Sequence, residues 1–386
     1  EEAGVEKMLA SAKENYPDLA ELTATVEKQY EEYKANPTGY FDTEELFMLD
    51  TLVGGKNLND HALVEVLANE AKNGIEWLKT IDANLSQVGS FGGASVKRIH
   101  KPVNDEGKTV AVGSYLVPKL TKAAEDKGVQ FVMETAATEL VVTDGKVTGV
   151  KAGDTTYTGK AVILATGGFA ANTEMVLKYK PDYKGFVCTN APGMTGDGIV
   201  MATAENVNAA TRLMEYGKRY PNGIEVSEGI AKSTIAGNIA AFSESAILIN
   251  KEGQRVVNEK ASNRTILETE LKQTDGMLYL LMDASTFDLF KSKLATGGIS
   301  EGDINGWLDN NGKTTPVFAH ADSLAELAGI VGMDAQALEN TVTTYNTFVQ
   351  NGKDEEFGRT SFANKLDEGP YYAIKVAPGV HHTMGG

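Results

Sequence analysis

The sequence predicts an α/β fold with a second, smaller α+β part, and three observations carry that expectation. The spacing of apolar residues changes from a helical to a strand-like period at residue 129. A wholly apolar run, AVILA (161–165), ends in Thr166-Gly167-Gly168, and a helical stretch follows Asn172. A strand entering a glycine turn and then a helix is how α/β folds bring backbone close to a bound phosphate or ring. From about 223 to 380 the pattern is mixed, with strands and helices of both lengths.

The first 35 residues are rich in Ala, Glu and Lys and predict one or two helices broken near Pro17. NPTGYFD (36–42) is a turn cluster. Over 60–80, Leu63, Val66, Leu67, Ala71, Ile75 and Leu78 recur near a 3.6 period, which predicts an amphipathic helix with these residues inward. A further helix is expected at 113–126, with Leu116, Leu120 and Ala124 on one side. VQFVMET (129–135), 138–152 and 155–168 are β-rich, and Asp144-Gly145 marks a hairpin turn. AVILA suits a strand covered on both faces. GMTGDGIVMATAENV (193–207) is a second glycine turn opening a helix, with Asp197 near its start. AILIN-KEG-QRVVN (246–258) predicts a strand pair around a turn, and LYLLMD (278–283) a strand. Residues 334–352 predict a helix with Asp334 as N-cap, Leu338, Val342, Tyr345 and Val349 inward, and Gly352 as its stop.

Length and composition set limits. The 386 residues are enough for two domains, and 42% hydrophobic with 23% charged is an ordinary globular mixture. The net charge of -17 argues against nucleic acid and anionic membrane as partners. It also requires that any anionic substrate be met by locally clustered Arg and His. A single cysteine, Cys188, excludes an internal disulfide and cysteine-rich metal sites, and the five histidines lack HxxxH or HxxH spacing, so no metal site is expected. No apolar stretch reaches the roughly 18–20 residues of a membrane span. The opening EEAGVEKM is too polar and acidic for a signal peptide.

An ordered set of segments now identifies a resemblance. DTLVGGKNLNDHALVEVLA (50–68), VGSFGGASVKRIHKP (88–102), AVILATGGFAAN (161–172), GFVCTNAPGMTGDGI (185–199), AILINKEGQRVVNE (246–259), TYNTFVQNGKDEEFGR (344–359) and YYAIKVAPGVHHTMGG (371–386) resemble the flavoprotein subunit of soluble fumarate reductases and their relatives, urocanate reductases and flavocytochrome c-type enzymes included. The segments fall in the family's order and cover most of 45–386. The family's N-terminal strand–GxGxxG–helix has no match here, and the chain stops at Gly386 inside HHTMGG. The resemblance therefore implies a segment of an FAD-binding domain of Rossmann-like (glutathione-reductase) type, incomplete at both ends, with little or no FAD affinity alone. It divides the chain into a partial FAD-binding domain with N-terminal helices (1–222), an inserted α+β capping domain (223–380) and a return to the FAD-binding domain (381–386).

The reaction implied is addition of hydrogen across an activated C=C bond beside a carboxylate, with hydride from the N5 atom of FAD to the β-carbon and a proton to the α-carbon. The resemblance places Arg264 as the acid, with a one-residue shift in the alignment after VVNE (256–259). His381 matches the carboxylate-binding histidine and His382 its neighbour against the flavin. Ala137, Ala165, Thr166, Gly167 and Asp197 are implied flavin contacts. Ser90 and Phe91, with the glycines after them, line the family's substrate cavity. Electrons are implied to come from a donor protein or from a haem or covalent FMN domain outside this segment, and an extracytoplasmic location in the bacterial envelope is favoured over the cytoplasm.

Two departures bear on substrate. Tyr220, in MEYGKRYPN (214–222), stands where the dicarboxylate reductases carry a histidine. Their Thr-Glu-x-x-Arg cluster falls, counting back from Asn250, on Asn238, Ile239 and Phe242, where this chain is expected to have a longer loop, 223–240. Glu244, Arg219 or Lys218 are candidates for the lost relay. A site that loses a carboxylate clamp and gains Tyr and Phe favours an aryl or heteroaryl enoate such as urocanate or a cinnamate over fumarate, because an unpaired buried carboxylate costs several kcal/mol. The competing expectations are a fumarate reductase proper, a ketosteroid-type flavin dehydrogenase and a non-catalytic binding module.

Overall fold

The computed structural model describes residues 2–90 and 93–386 and contains two compact units, Glu1–Met133 and Glu134–Gly386. The first unit is mainly helical: α1 (Glu2–Asn15), α2 (Ala20–Ala35), α3 (Glu44–Gly54), α4 (His61–Lys79), the short strands β1 (Gln87–Gly89) and β2 (Ile99–Lys101), and α5 (Val112–Asp126). The break at Pro17 is a 3-10 turn, Pro17–Leu19, as a proline without an N–H allows at a helix start. Val5 and Leu9 of α1, Val26 and Tyr30 of α2, and Leu46 and Leu49 of α3 form the core. Arg98 ties the unit together, 2.7 Å from Asp42 and 2.9 Å from the buried Asp50. On α4 the buried residues are Val64 and Ala68, while Leu63, Val66 and Leu67 are exposed. The inward face is thus turned by about one residue from the expected one.

The second unit begins with a three-stranded meander, β3 (Glu139–Thr143), β4 (Lys146–Ala152) and β5 (Thr155–Thr158). Asp144 (φ 51°) and Gly145 (φ 73°) are both left-handed, the backbone of the hairpin turn expected there. After α6 (Thr173–Tyr179), β6 (Val187–Cys188) and α7 (Asp197–Thr203), the chain builds a larger sheet. Its other strands are β7 (Gly217–Ser227), β8 (Ile230–Ser233), β9 (Ile247–Ile249), β10 (Leu278–Met282), β11 (Phe318–Ala321) and β12 (Tyr371–Thr383), and its helices are α8 (Ile235–Ser243), α9 (Asn263–Glu270), α10 (Ala284–Lys291), α11 (Glu301–Asn310), α12 (Leu324–Val331) and α13 (Ala335–Asn351). Among the described residues the sheet order is β6-β8-β7-β12-β10-β9, with β11 also on β12.

Both faces of this sheet are covered, which is why β10 is apolar at every position. Leu278, Leu280 and Met282 pack with Phe287, Phe290 and Ile374 on one side. Tyr279 and Leu281 pack with Leu338, Val342 and Tyr345 on the other. The Asp334 carboxylate accepts from the Ala337 N–H and Gly352 closes α13 at φ 64°, both as expected.

Three expectations of secondary structure do not hold. AVILA forms no strand; Ile163 is 89% exposed, and no backbone bond among the described residues joins 161–165 to a neighbour. Residues 129–135 likewise form none. A strand exists only where another edge satisfies its N–H and C=O groups, whatever its composition. The stretch 223–240 is not a long loop: it is the rest of β7, then β8 and the start of α8. The expected boundary at 222/223 falls inside β7.

Candidate active site

The site is built where β12 meets β7. Ala377 pairs with Gly223 and Gly379 with Tyr220, so β7 carries an extra residue there. Pro221 and Pro378 lie in this irregular stretch, and neither has an N–H for the ladder. Val380 then pairs with Arg219 and His382 with Lys218, which leaves His381 as the extra residue on β12. Bulges re-aim side chains. The His381 imidazole lies edge-on to Tyr220, with centroids 5.1 Å apart at 66°. The His382 ring is 5.2 Å away.

Thr189 steadies this histidine from β6's end. Its hydroxyl donates to the Val380 carbonyl at 3.3 Å, so Oγ1 is free to accept from His381 Nδ1, also 3.3 Å away. Burial, then His382 and Lys218, hold the His381 imidazole below its ordinary range; burial and Lys218 do the same for His382. Lys218 Nζ stands 5.5 Å from the Tyr220 ring centre. In a chain of net charge -17, Lys218, Arg219, His381 and His382 thus gather on one strand pair.

Directly after Tyr220, Pro221 and Asn222 enter the wall of a groove of about 480 Å³. Its apolar lining comes from Ile235, Ile239 and Phe242 of α8 with Leu248 and Ile266. Asn238, Lys260, Ser262 and Asn263 add polar groups. The three positions counted back from Asn250 therefore share one wall, as Asn238, Ile239 and Phe242. Asn238 is 5% exposed, and its Oδ1 has no hydrogen-bond partner among the described residues.

A buried ionic cluster holds this wall. Arg359, 1% exposed, donates to the carbonyls of Phe242 (2.7 Å), Ala246 (3.0 Å) and Glu244 (3.3 Å), the end of α8, and to Glu259 (3.2 Å). Arg255 pairs with Glu259 at 2.8 Å and with Asp354 at 2.8 Å. Sequence reading did not single out these residues, although QRVVNE and KDEEFGR place them within apolar surroundings.

Arg264 sits in the first turn of α9, where Ser262 accepts from the Thr265 N–H as N-cap. Its side chain is 77% exposed and its Nε lies 2.8 Å from Glu268 Oε1. Its neighbours Ser262 and Asn263 line the groove, and Arg264 stands outside that lining. Glu244, one relay candidate, instead accepts from Asn364 at 2.7 Å.

The two glycine turns meet at one junction. Gly196 N–H donates to Gly168 O (3.1 Å), Ala171 N–H to Met194 O (2.9 Å) and Phe169 N–H to Thr383 Oγ1 (3.0 Å). A Cβ added at Gly198 would collide with the Thr166 hydroxyl, and Gly167 holds φ 75°. Thr166, Gly167, Asp197 and His382 are thereby brought together, with Ala165 one residue before. Ala165, Thr166, Gly167 and Asp197 are exposed, as is Ala137 at the entrance to β3. Exposed backbone beside a carboxylate and an imidazole fits the hydrogen-bonding edge of a planar heteroaromatic group such as a flavin.

Ser90 belongs to the first unit and is exposed just after β1. Phe91 lies outside the described residues. No described helix is long and apolar enough to cross a membrane, and the described residues contain no cluster of three or more His, Cys, Asp or Glu able to hold a metal ion.

Residues 33–386 match the family described as FAD binding domain. Fumarate reductase (cytochrome) of Shewanella frigidimarina is 38% identical over 352 residues, covering 89% of this chain and 57% of that protein. Urocanate reductase of Eggerthella lenta is 34% identical over 359 residues, covering 90% of this chain and 56% of that protein. The open conformation of a flavocytochrome c3 fumarate reductase superposes with a TM-score of 0.72 at 31% identity, covering 90% of this chain and 57% of that one. The chain spans little more than half the length of these relatives.

Proposed function

The chain belongs to the FAD-binding domain family, and on that premise we propose that the protein reduces the C=C bond of an α,β-unsaturated carboxylate, preferring an aryl or heteroaryl enoate to fumarate. The observation that carries the preference is the edge contact of Tyr220 on His381, one residue along β7 from the start of an apolar groove.

FAD, when bound and reduced, supplies hydride to the β-carbon. Ala165, Thr166, Gly167, Asp197 and His382 would hold the flavin ring, and Ala137 would contact the adenine. His381 donates to the substrate carboxylate, a charge-assisted bond that strengthens as negative charge develops on its oxygens. Tyr220 shapes the space beside that carboxylate. Arg264 delivers the proton to the α-carbon, and a proton taken from solvent and relayed through Glu268, which lies on its Nε, restores it. An arginine is a poor acid in water, so this step needs the α9 turn closed over the substrate and water excluded. The electrons for the flavin would come from a separate donor, protein or domain.

The reading is tested by reducing the FAD-loaded protein anaerobically and mixing it with acrylate, cinnamate, urocanate or fumarate. Return of the yellow flavin band with formation of the saturated acid is expected. No reoxidation by any enoate would sink it.

A further inference from the structure

We infer that Asn238 selects the substituent on the substrate's β-carbon, and that the groove between α8 and residues 258–266 takes a neutral aromatic ring bearing an N–H or O–H group. This rests on the enoate reading above and adds the ligand chemistry of one wall.

The groove starts at Pro221 and Asn222, next to Tyr220, whose ring meets His381. Pro221 follows Tyr220 directly in β7, so the groove begins one residue along the chain from the ring that meets His381. A volume of about 480 Å³ suits a single ring, and Ile239, Phe242 and Ile266 give it apolar walls.

Asn238 is the exception in that wall. It is 5% exposed, and its Oδ1 has no donor. A buried amide left unpaired is costly and calls for a partner. Asn222 differs, since its Oδ1 already accepts from Ser233 at 3.3 Å. A phenol or an azole both donates and accepts, so it satisfies the Asn238 amide whichever way its two ends are turned.

Charge disfavours a second carboxylate in the same place. Glu259 already holds Arg255 and Arg359. Lys260, the remaining cation of the lining, has its Nζ on Ser361 Oγ at 2.6 Å. A carboxylate beside Asn238 would be desolvated without a dedicated cation.

The test compares kcat/KM of the FAD-loaded protein for 4-hydroxycinnamate and cinnamate, natively and in Asn238→Leu. The native protein is expected to favour the hydroxylated ring by roughly ten-fold or more. Asn238→Leu is expected to bring the two within about three-fold. Equal rates in the native protein, or a preference that survives Asn238→Leu, overturn the inference. Calorimetric binding of the saturated products, 3-(4-hydroxyphenyl)propanoate and 3-phenylpropanoate, makes the same comparison without turnover or a variant. Tighter binding of the hydroxylated product supports the groove even if no enoate is reduced, a result that sinks only the reading of the reaction. Equal affinities sink the groove even if reduction is fast.

Discussion

The Tyr220 ring meets the His381 imidazole edge-on, 5.1 Å between centroids, because β12 bulges at His381 while β7 is irregular at Pro221. A regular ladder would keep the alternation of faces and point these residues where their neighbours' register dictates. The bulge instead places a hydrogen-bonding imidazole against an aromatic wall, with Lys218 and Arg219 alongside. On the function proposed above, anion binding and ring recognition share one strand pair.

Carboxylate binding is expected to take up a proton. The free His381 imidazole is held below its ordinary range, so it is neutral at pH 7. An anion beside it raises its pKa. Affinity is then greatest below the free value and falls as pH rises from the free toward the bound value, by up to about ten-fold per unit. Calorimetry of a saturated product in buffers of different ionisation enthalpy measures the uptake. It should vanish in His381→Gln; absence of uptake in the native protein contradicts the role.

Arg264→Gln is expected to lower kcat by roughly 100- to 10,000-fold, the range for a lost general acid. Melting temperature should not move, because the pair with Glu268 is on the exposed surface. Unchanged kcat would mean that the proton comes from another group.

Arg359→Met removes four carbonyl contacts and one partner of Glu259 from a fully buried cluster. Urea unfolding of the unit should show a loss of about 3–5 kcal/mol, as for other broken buried pairs. A loss near zero would show that the cluster does not hold α8.

Glu270 is wholly buried, and neither carboxyl oxygen has a hydrogen-bond partner among the described residues. Burial pushes its pKa well above the ordinary carboxylate range. The fold therefore favours the protonated form. This stability is fully present below the unfolded pKa of about 4.3 and is lost as pH rises toward the folded value. Urea midpoints between pH 5 and 8 should decline, and Glu270→Gln should flatten the decline. A native slope identical to the variant's contradicts this.

What was legible in the sequence was local. Asp334, the inward set from Leu338 to Val349 and Gly352 are short-range signals, and α13 follows them. Asp144-Gly145 did the same for the β3–β4 hairpin. AVILA misled because apolar composition does not supply a pairing partner. On α4 the inward face shifted to Val64 and Ala68 because packing, and not periodicity alone, chooses among nearly equivalent stripes. Of the site, Tyr220 and His381 were named separately, but their contact depends on a bulge that no residue pattern announces. Asn238 was read as a lost clamp; its position in the groove wall depends on α8, in a stretch expected to be loop. Arg359 went unnoticed because a charged residue is ordinarily a surface residue.

The most direct measurement is kcat/KM of the FAD-loaded protein for urocanate, 4-hydroxycinnamate and fumarate, with a reduced dye as donor. An aryl or heteroaryl enoate turned over faster than fumarate is the expected result. Fumarate turned over far faster than every aryl enoate would contradict the account.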